Sequence, residues 1–150
     1  MTVDDHPLLR EGIAAVIEGQ DELELVAEAS TGEEAIDRYR EHRPDLTLVD
    51  LQMPGIGGIA AIEAIRGEFP DARILVLTTY RGDVQALRAF RAGAQGYLLK
   101  SELRKDMLST IRQIMDGKRR VPEEIAHELE RDLIEVVAYE FYQFAPDGIG

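Results

Sequence analysis

The chain of 150 residues carries 29 acidic against 17 basic side chains, a formal charge of -12 that opposes the phosphate backbone of a nucleic acid; its one basic run, Lys118-Arg119-Arg120, is too short to reverse this. A hydrophobic content of 45% suits one compact domain with a short extension. The absence of cysteine excludes disulfides and thiolate-bound zinc, no stretch reaches the ~18 consecutive apolar residues of a membrane span, and no signal-peptide pattern opens the chain, so a soluble cytoplasmic protein is expected.

Strand-like and helix-like segments alternate along the sequence. An apolar fragment of three residues, Met1-Thr2-Val3, ends at the acidic pair Asp4-Asp5. Pro7, whose fixed φ suits a first helical turn, opens a helix predicted over 7–18 with Leu9, Ile13, Val16 and Ile17 on one face, and Gly19 stops it. Residues 23–27 read as a strand. Thr31-Gly32-Glu33-Glu34 has the spacing of a capping box for a second helix reaching Arg40, with Ala35, Ile36 and Tyr39 inward. Residues 46–50 form the next predicted strand, followed by a loop rich in Pro54, Gly55, Gly57 and Gly58 and a third helix marked by Ile59, Ile62 and Ile65. The run 73–78, RILVLT, is apolar enough to be buried on both faces. A fourth helix over 83–92 closes at Gly93, a strand spans 96–99, and a fifth helix runs from a Ser101 cap to Met115, ended by Gly117. This alternation predicts an α/β fold: a doubly wound, parallel, five-stranded sheet with helices on both faces.

Asp50 is the most informative residue in that order. It closes the apolar run Leu46-Thr47-Leu48-Val49, Asp4-Asp5 closes the N-terminal fragment, and Lys100 closes Gly96-Tyr97-Leu98-Leu99. In an open α/β sheet, the carboxyl ends of the strands form the crevice in which ligands bind, so these distant residues converge.

The strings VDDHPLLREG, LVDLQMPGIGG, the Thr78-Thr79-Tyr80 after a buried strand, and AGAQGYLLK together resemble the receiver domain of two-component response regulators, most closely the NarL/LuxR class. The resemblance runs from Thr2 to Lys118. It implies a flavodoxin-like receiver over 1–118, with 119–150 as linker and apolar extension. It also implies a phosphoacceptor signalling module, phosphorylated on Asp50 by a histidine kinase and changing its helix-four/strand-five/helix-five surface. The only catalysis expected is self-phosphorylation and autodephosphorylation at Asp50, not a metabolic reaction.

The residues support that chemistry independently. A carboxylate attacks a phosphoryl group poorly unless charge on the transferring oxygens is neutralised, and catalysis is then mostly positioning and electrostatics. Three carboxylates at one sheet edge repel unless a cation lies among them, and a hard divalent ion, Mg2+ or Mn2+, suits such donors. By resemblance, Asp5 and Asp50 bind the ion directly, the Gln52 backbone carbonyl adds a donor, and Asp4 acts through water. Lys100 then offers a point charge, and the Thr78 hydroxyl a hydrogen bond, to the phosphoryl oxygens. Tyr97 reads as a core residue; the resemblance adds a switch in which its ring reorients as Thr78 moves. Gln52 and Tyr80 are expected to flank the path of the hydrolytic water, and their bulk implies a slow loss of the phosphoryl group.

Other readings stand beside these. Asp4-Asp5 suits the N-cap of the first helix, and Asp5 can cap as well as bind metal. His6, before Pro7, is expected to face solvent without a catalytic role, and His42 and His127 are expected on the surface. Three departures from the family pattern stand out. The first strand has only three residues, which leaves neighbouring backbone groups unpaired at about 1–3 kcal/mol each unless something fills the slot. Ser101 follows Lys100 where many receivers have a cis proline. No helix-turn-helix pattern follows Val121.

The C-terminal region begins as a linker helix at Pro122-Glu123-Glu124-Ile125, with Ile125, Leu129 and Leu133 on one face, and continues into the apolar run 133–144, LIEVVAYEFYQF. That run suits a helix over its own domain, a helix pairing in a homodimer, or a strand over 134–141 added to a sheet edge. Helix is favoured over strand. A dimer through the receiver face is the other expected self-association, and neither nucleic acid nor membrane is an expected partner. A haloacid-dehalogenase-type phosphatase wants a second aspartate two residues after the first, where Gln52 stands. The alternative to the signalling module is an engineered or truncated receiver scaffold whose extension mediates folding or dimerisation, phosphorylation being incidental.

Overall fold

The computed structural model describes residues 1–53, 55–79, 84–123 and 125–131. Five strands, β1 (Thr2–Val3), β2 (Glu28–Ala29), β3 (Thr47–Asp50), β4 (Ile74–Thr78) and β5 (Gly96–Leu99), alternate with α1 (Pro7–Glu18), α2 (Gly32–His42), α3 (Gly57–Glu68), α4 (Val84–Arg91) and α5 (Leu103–Met115). The strands are parallel and ordered β2-β1-β3-β4-β5, the flavodoxin-like doubly wound arrangement expected from the alternation. No helix among the described residues is long and apolar enough to cross a membrane.

Alternation along the strands divides the core into two layers. Leu48, Leu75, Leu77 and Leu98 face α1 and α5, where Ile13, Met107, Ile111 and Ile114 close over them. Val3, Val49, Ile74, Val76 and Tyr97 face the other way, against Ala35, Ile62, Ile65 and Phe90 of α2, α3 and α4. All five residues of β4 are buried, as its unbroken apolar run implied, and full burial of each such aliphatic side chain contributes roughly 1.5–3 kcal/mol.

Several helix ends follow the sequence signals. The Thr31 hydroxyl accepts from the Glu34 N–H at 3.1 Å, although the Glu34 carboxylate takes its hydrogen bond from Ser30 rather than closing a reciprocal box. Gly93, with φ +116°, ends α4 in a conformation that favours glycine. The Ser101 cap is corrected: residues 100–102 form a 3-10 turn, the Glu102 carboxylate accepts from the Leu99 N–H, and α5 begins only at Leu103. No cis peptide occurs among the described residues.

The strand expected over 23–27 is also corrected. The ladder there begins at Glu28, because β1 pairs Thr2 with Glu28 and Val3 with Ala29, and its last hydrogen bond toward the earlier residues runs from Thr2 N–H to Ala27 O at 3.1 Å. Residues 23–26 instead border a cavity of about 710 Å³ whose inner wall includes Met1, Leu23, Leu25, Leu46, Leu48 and Ile111 and whose lining also has the charged Glu22, Glu24, Asp45 and Arg112. Nothing among the described residues fills that space, so strand propensity there meets no partner. Short as it is, β1 is bonded on both sides: Met1 O accepts from Leu48 N–H at 2.9 Å, the Met1 amine donates to Leu46 O at 2.9 Å, and Asp4 N–H reaches Ala29 O.

Beyond α5 the chain returns to the sheet. Arg120 N–H donates to Gln95 O, and residues 123 and 125–131 are helical, with Ile125 buried and Val121 and Leu129 packed beside it against the layer containing Phe90 and Tyr97. The expected linker helix is therefore present over its described part. Leu133 and the run 133–144, with its helix, dimer and strand readings, lie outside the described residues.

Candidate functional site

Strand order alone places the acidic residues together. β1 lies directly beside β3, with Val3 opposite Val49, so the residues that follow, Asp4 and Asp50, emerge side by side at the carboxyl edge. Asp50 has no solvent exposure and Asp4 has 1%, which places two carboxylates below the protein surface. Gly58 permits this depth, because a Cβ there would lie 2.8 Å from the Asp50 carbonyl oxygen and 3.1 Å from Val49 Cγ1. The start of α3 thus packs on the end of β3 with no side chain between them.

Each oxygen of Asp50 is held. Oδ1 accepts from the Gln52 N–H at 2.9 Å, and Oδ2 accepts from Lys100 Nζ at 3.1 Å. Lys100 Nζ also donates to Gln52 Oε1 at 3.2 Å, and that same oxygen accepts from Thr79 Oγ1 at 2.6 Å. Gln52 therefore ties together the ends of three strands: its backbone fixes the Asp50 carboxylate, and its carboxamide holds Lys100 and Thr79. Thr78 is fully buried at the end of β4, one residue beyond Leu77, which pairs with Asp50.

Among the described residues, donor atoms of Asp4, Asp5, His6 and Asp50 lie within 4.8 Å of one another. Asp4 Oδ2 and Asp5 Oδ1 are shielded from solvent and accept no hydrogen bond, a costly state for carboxylate oxygens. Burial raises the Asp4 pKa above its ordinary value, hydrogen bonds from the His6 N–H and ring oppose the shift, and the Asp50 charge adds to it. A divalent cation bound by oxygen fits such a donor set.

The sequence-derived residues Asp4, Asp5, Asp50, Gln52 and Lys100 are thus brought together, with Thr78 at the same edge. Tyr97 is buried in the layer facing α2 to α4, as core packing required, and Tyr80 lies outside the described residues. Asp5 does not cap α1; His6 occupies the cap position, without a side-chain cap bond. His6 faces solvent as expected. Although the side chain is 56% exposed, Nδ1 points into the cluster, 3.0 Å from Asp4 Oδ1, 3.1 Å from Asp5 Oδ1 and 3.5 Å from Asp50 Oδ2. Thr79 joins the site without a role foreseen from sequence; its signal is the hydroxyl beside Thr78. His42 and His127 are on the surface as expected.

Residues 1–112 match the family model described as the response regulator receiver domain. The chain belongs to that family. This receiver domain is 36% identical over 129 residues to the response regulator GacA of Pseudomonas viridiflava, an alignment covering 86% of this chain and 60% of GacA. It is likewise 36% identical over 135 residues to the response regulator UvrY of Escherichia coli strain K12, covering 90% and 62%. The crystal structure of a LuxR-family two-component response regulator from Aurantimonas sp. SI85-9A1 superimposes with a TM-score of 0.78 at 42% identity, over 89% of this chain and 96% of that one. The receiver thus spans about three fifths of the length of these curated relatives. A two-component phosphoacceptor signalling module is the function that the family carries, and the dehalogenase and scaffold readings recede.

Proposed function

We propose that this receiver acts in the cytoplasm, where Asp50 accepts a phosphoryl group from the phosphohistidine of a histidine kinase. One Asp50 oxygen attacks phosphorus, the bond from phosphorus to the donor nitrogen breaks, and an acyl phosphate forms on the aspartate while the proton taken up by the leaving imidazole comes from solvent. Asp5, Asp50 and the Gln52 carbonyl would hold a Mg2+ or Mn2+ ion, with Asp4 reaching it through water, and the ion would supply neutralisation of the phosphoryl oxygens. Lys100 holds the attacking carboxylate before transfer and then turns its charge to a phosphoryl oxygen, while Thr78 donates to another. Tyr97, buried on β5 in the layer that faces α2 to α4, carries the rearrangement toward α4, β5 and α5. Gln52 and Tyr80 set how long the phosphoryl group lasts. The observation that carries this reading is the buried Asp50 carboxylate within 3.1 Å of Lys100 and beside the unsatisfied oxygens of Asp4 and Asp5.

The test is incubation with acetyl phosphate and Mg2+, read by intact mass. A gain of one phosphoryl group is expected in the wild-type protein and none in Asp50→Asn. Equal labelling of both proteins refutes the assignment.

Metal binding is separable from phosphorylation. Ionised Asp4 costs stability, because a carboxyl with a raised folded-state pKa favours folding most when protonated and loses that contribution as pH rises above the ordinary carboxylate range. At neutral pH, Mg2+ at ten times its dissociation constant should therefore add about 1.4 kcal/mol, or roughly 3–6 °C in Tm. Asp4→Asn should melt higher than wild type without Mg2+ and gain less from it. A variant that melts lower without the ion and gains as much as wild type contradicts the charge argument.

A further inference from the structure

His6 belongs to the acidic site in a way the family reading does not use. The distances from its Nδ1 to Asp4 Oδ1, Asp5 Oδ1 and Asp50 Oδ2, at 3.0, 3.1 and 3.5 Å, resemble the edges of a coordination shell. Adjacent donors at bonds of roughly 2.1 Å and right angles lie about 3.0 Å apart. The ring is directed there by a stiff backbone: His6 is extended, with φ -101° and ψ 105°, as a residue before proline prefers, and Pro7 fixes the next φ. The His6 N–H donates to Asp4 Oδ1 at 2.7 Å, which ties the imidazole and the carboxylate to one short loop. Asp4 Oδ2 stays buried without a partner, an independent sign that this loop is built around a cation.

We propose that His6 Nδ1 is a nitrogen donor in this site and biases it toward first-row transition ions such as Mn2+, Co2+ and Ni2+ at the expense of Mg2+. The inference rests on the acidic cluster binding a divalent ion. An all-oxygen shell suits Mg2+, which gains little from imidazole, whereas transition ions gain affinity from a neutral ring nitrogen. His6 is thus a specificity-determining residue.

Calorimetric titration of the full chain at pH 8 with Mg2+, Mn2+ and Co2+, for wild type and His6→Gln, tests it. The variant should lose at least about tenfold in affinity for Co2+ and Mn2+ while its Mg2+ affinity changes less than about threefold. The exposed His42 and His127 remain in both proteins, so any weak surface binding cancels in the comparison. Pulsed electron paramagnetic resonance on bound Mn2+ should show coupling to an imidazole nitrogen in wild type and none in His6→Gln. If Mg2+ binds and the two proteins treat all three ions alike, the His6 proposal falls while the acidic site stands. If no ion binds the wild-type protein, both fall together.

Discussion

Replacing Asp50 by glutamate should slow phosphoryl acceptance at least about 100-fold, although the variant keeps a carboxylate, because a displacement near 1 Å at a reacting atom carries a penalty of that order. The wild-type group has no freedom to absorb the change. Its two oxygens are fixed by the Gln52 N–H and the Lys100 ammonium, and it has no solvent exposure. Behind it, Gly58 packs so closely on the end of β3 that even a methyl group would meet the Asp50 carbonyl oxygen at 2.8 Å. With the strand end fixed in this way, an added methylene displaces the carboxylate from the Gln52 N–H and the Lys100 ammonium that hold it. The measurement is the initial rate of phosphoryl incorporation from acetyl phosphate with saturating Mg2+, with Asp50→Asn as the baseline. A glutamate variant within tenfold of wild type would show that charge alone, and not position, governs acceptance.

How far the sequence could carry such an argument differed from residue to residue. The five-stranded fold was legible because strand burial wrote itself as continuous apolar runs: Ile74-Leu75-Val76-Leu77 is buried on both faces, and no amphipathic helix would be written that way. Asp50 and Lys100 were legible for the same reason, since each interrupts such a run at its carboxyl end. His6 was not. Its place before Pro7 at a helix start pointed to solvent, and the side chain is exposed, but ring direction depends on the loop leaving β1 and on the distance between β1 and β3, which only the assembled sheet fixes. Thr79 was hidden similarly, because its partner Gln52 lies 27 residues away on another strand end. The error over residues 23–27 has a different origin. Local propensity there is that of a strand, but a strand is a property of a pair, and the neighbouring strand supplies pairing only from Ala27 onward.

That unfilled space sets up the largest stability change expected in the molecule. Adding Met-Lys-Ile-Val-Leu ahead of Met1 should raise Tm by about 5–12 °C at pH 6, equivalent to roughly 3 kcal/mol. The added leucine and isoleucine alternate toward the side of the sheet where Ile111 and Leu48 line the cavity, and the added backbone can pair with residues 23–26. In a polypeptide made with Met1 as its first residue, a second contribution comes from its amine, which is buried beside the Leu46 carbonyl and has its pKa lowered by that burial to about 6, against an opposing pull from Asp45. The folded state therefore disfavours the charged amine. The unfolded chain binds more protons between pH 6 and 8, so stability falls as pH drops through that window, by about 2–3 kcal/mol in full. Moving the amine away from the sheet abolishes this loss. A polar extension, Met-Lys-Ser-Gly-Asn, separates the two effects, since it relocates the amine without filling the cavity: it should flatten the pH dependence while gaining less at pH 8 than the apolar version. Thermal unfolding of the three proteins at pH 6 and pH 8 decides the matter, and equal stabilisation by both extensions at pH 8 would mean that the cavity beside β1 contributes nothing.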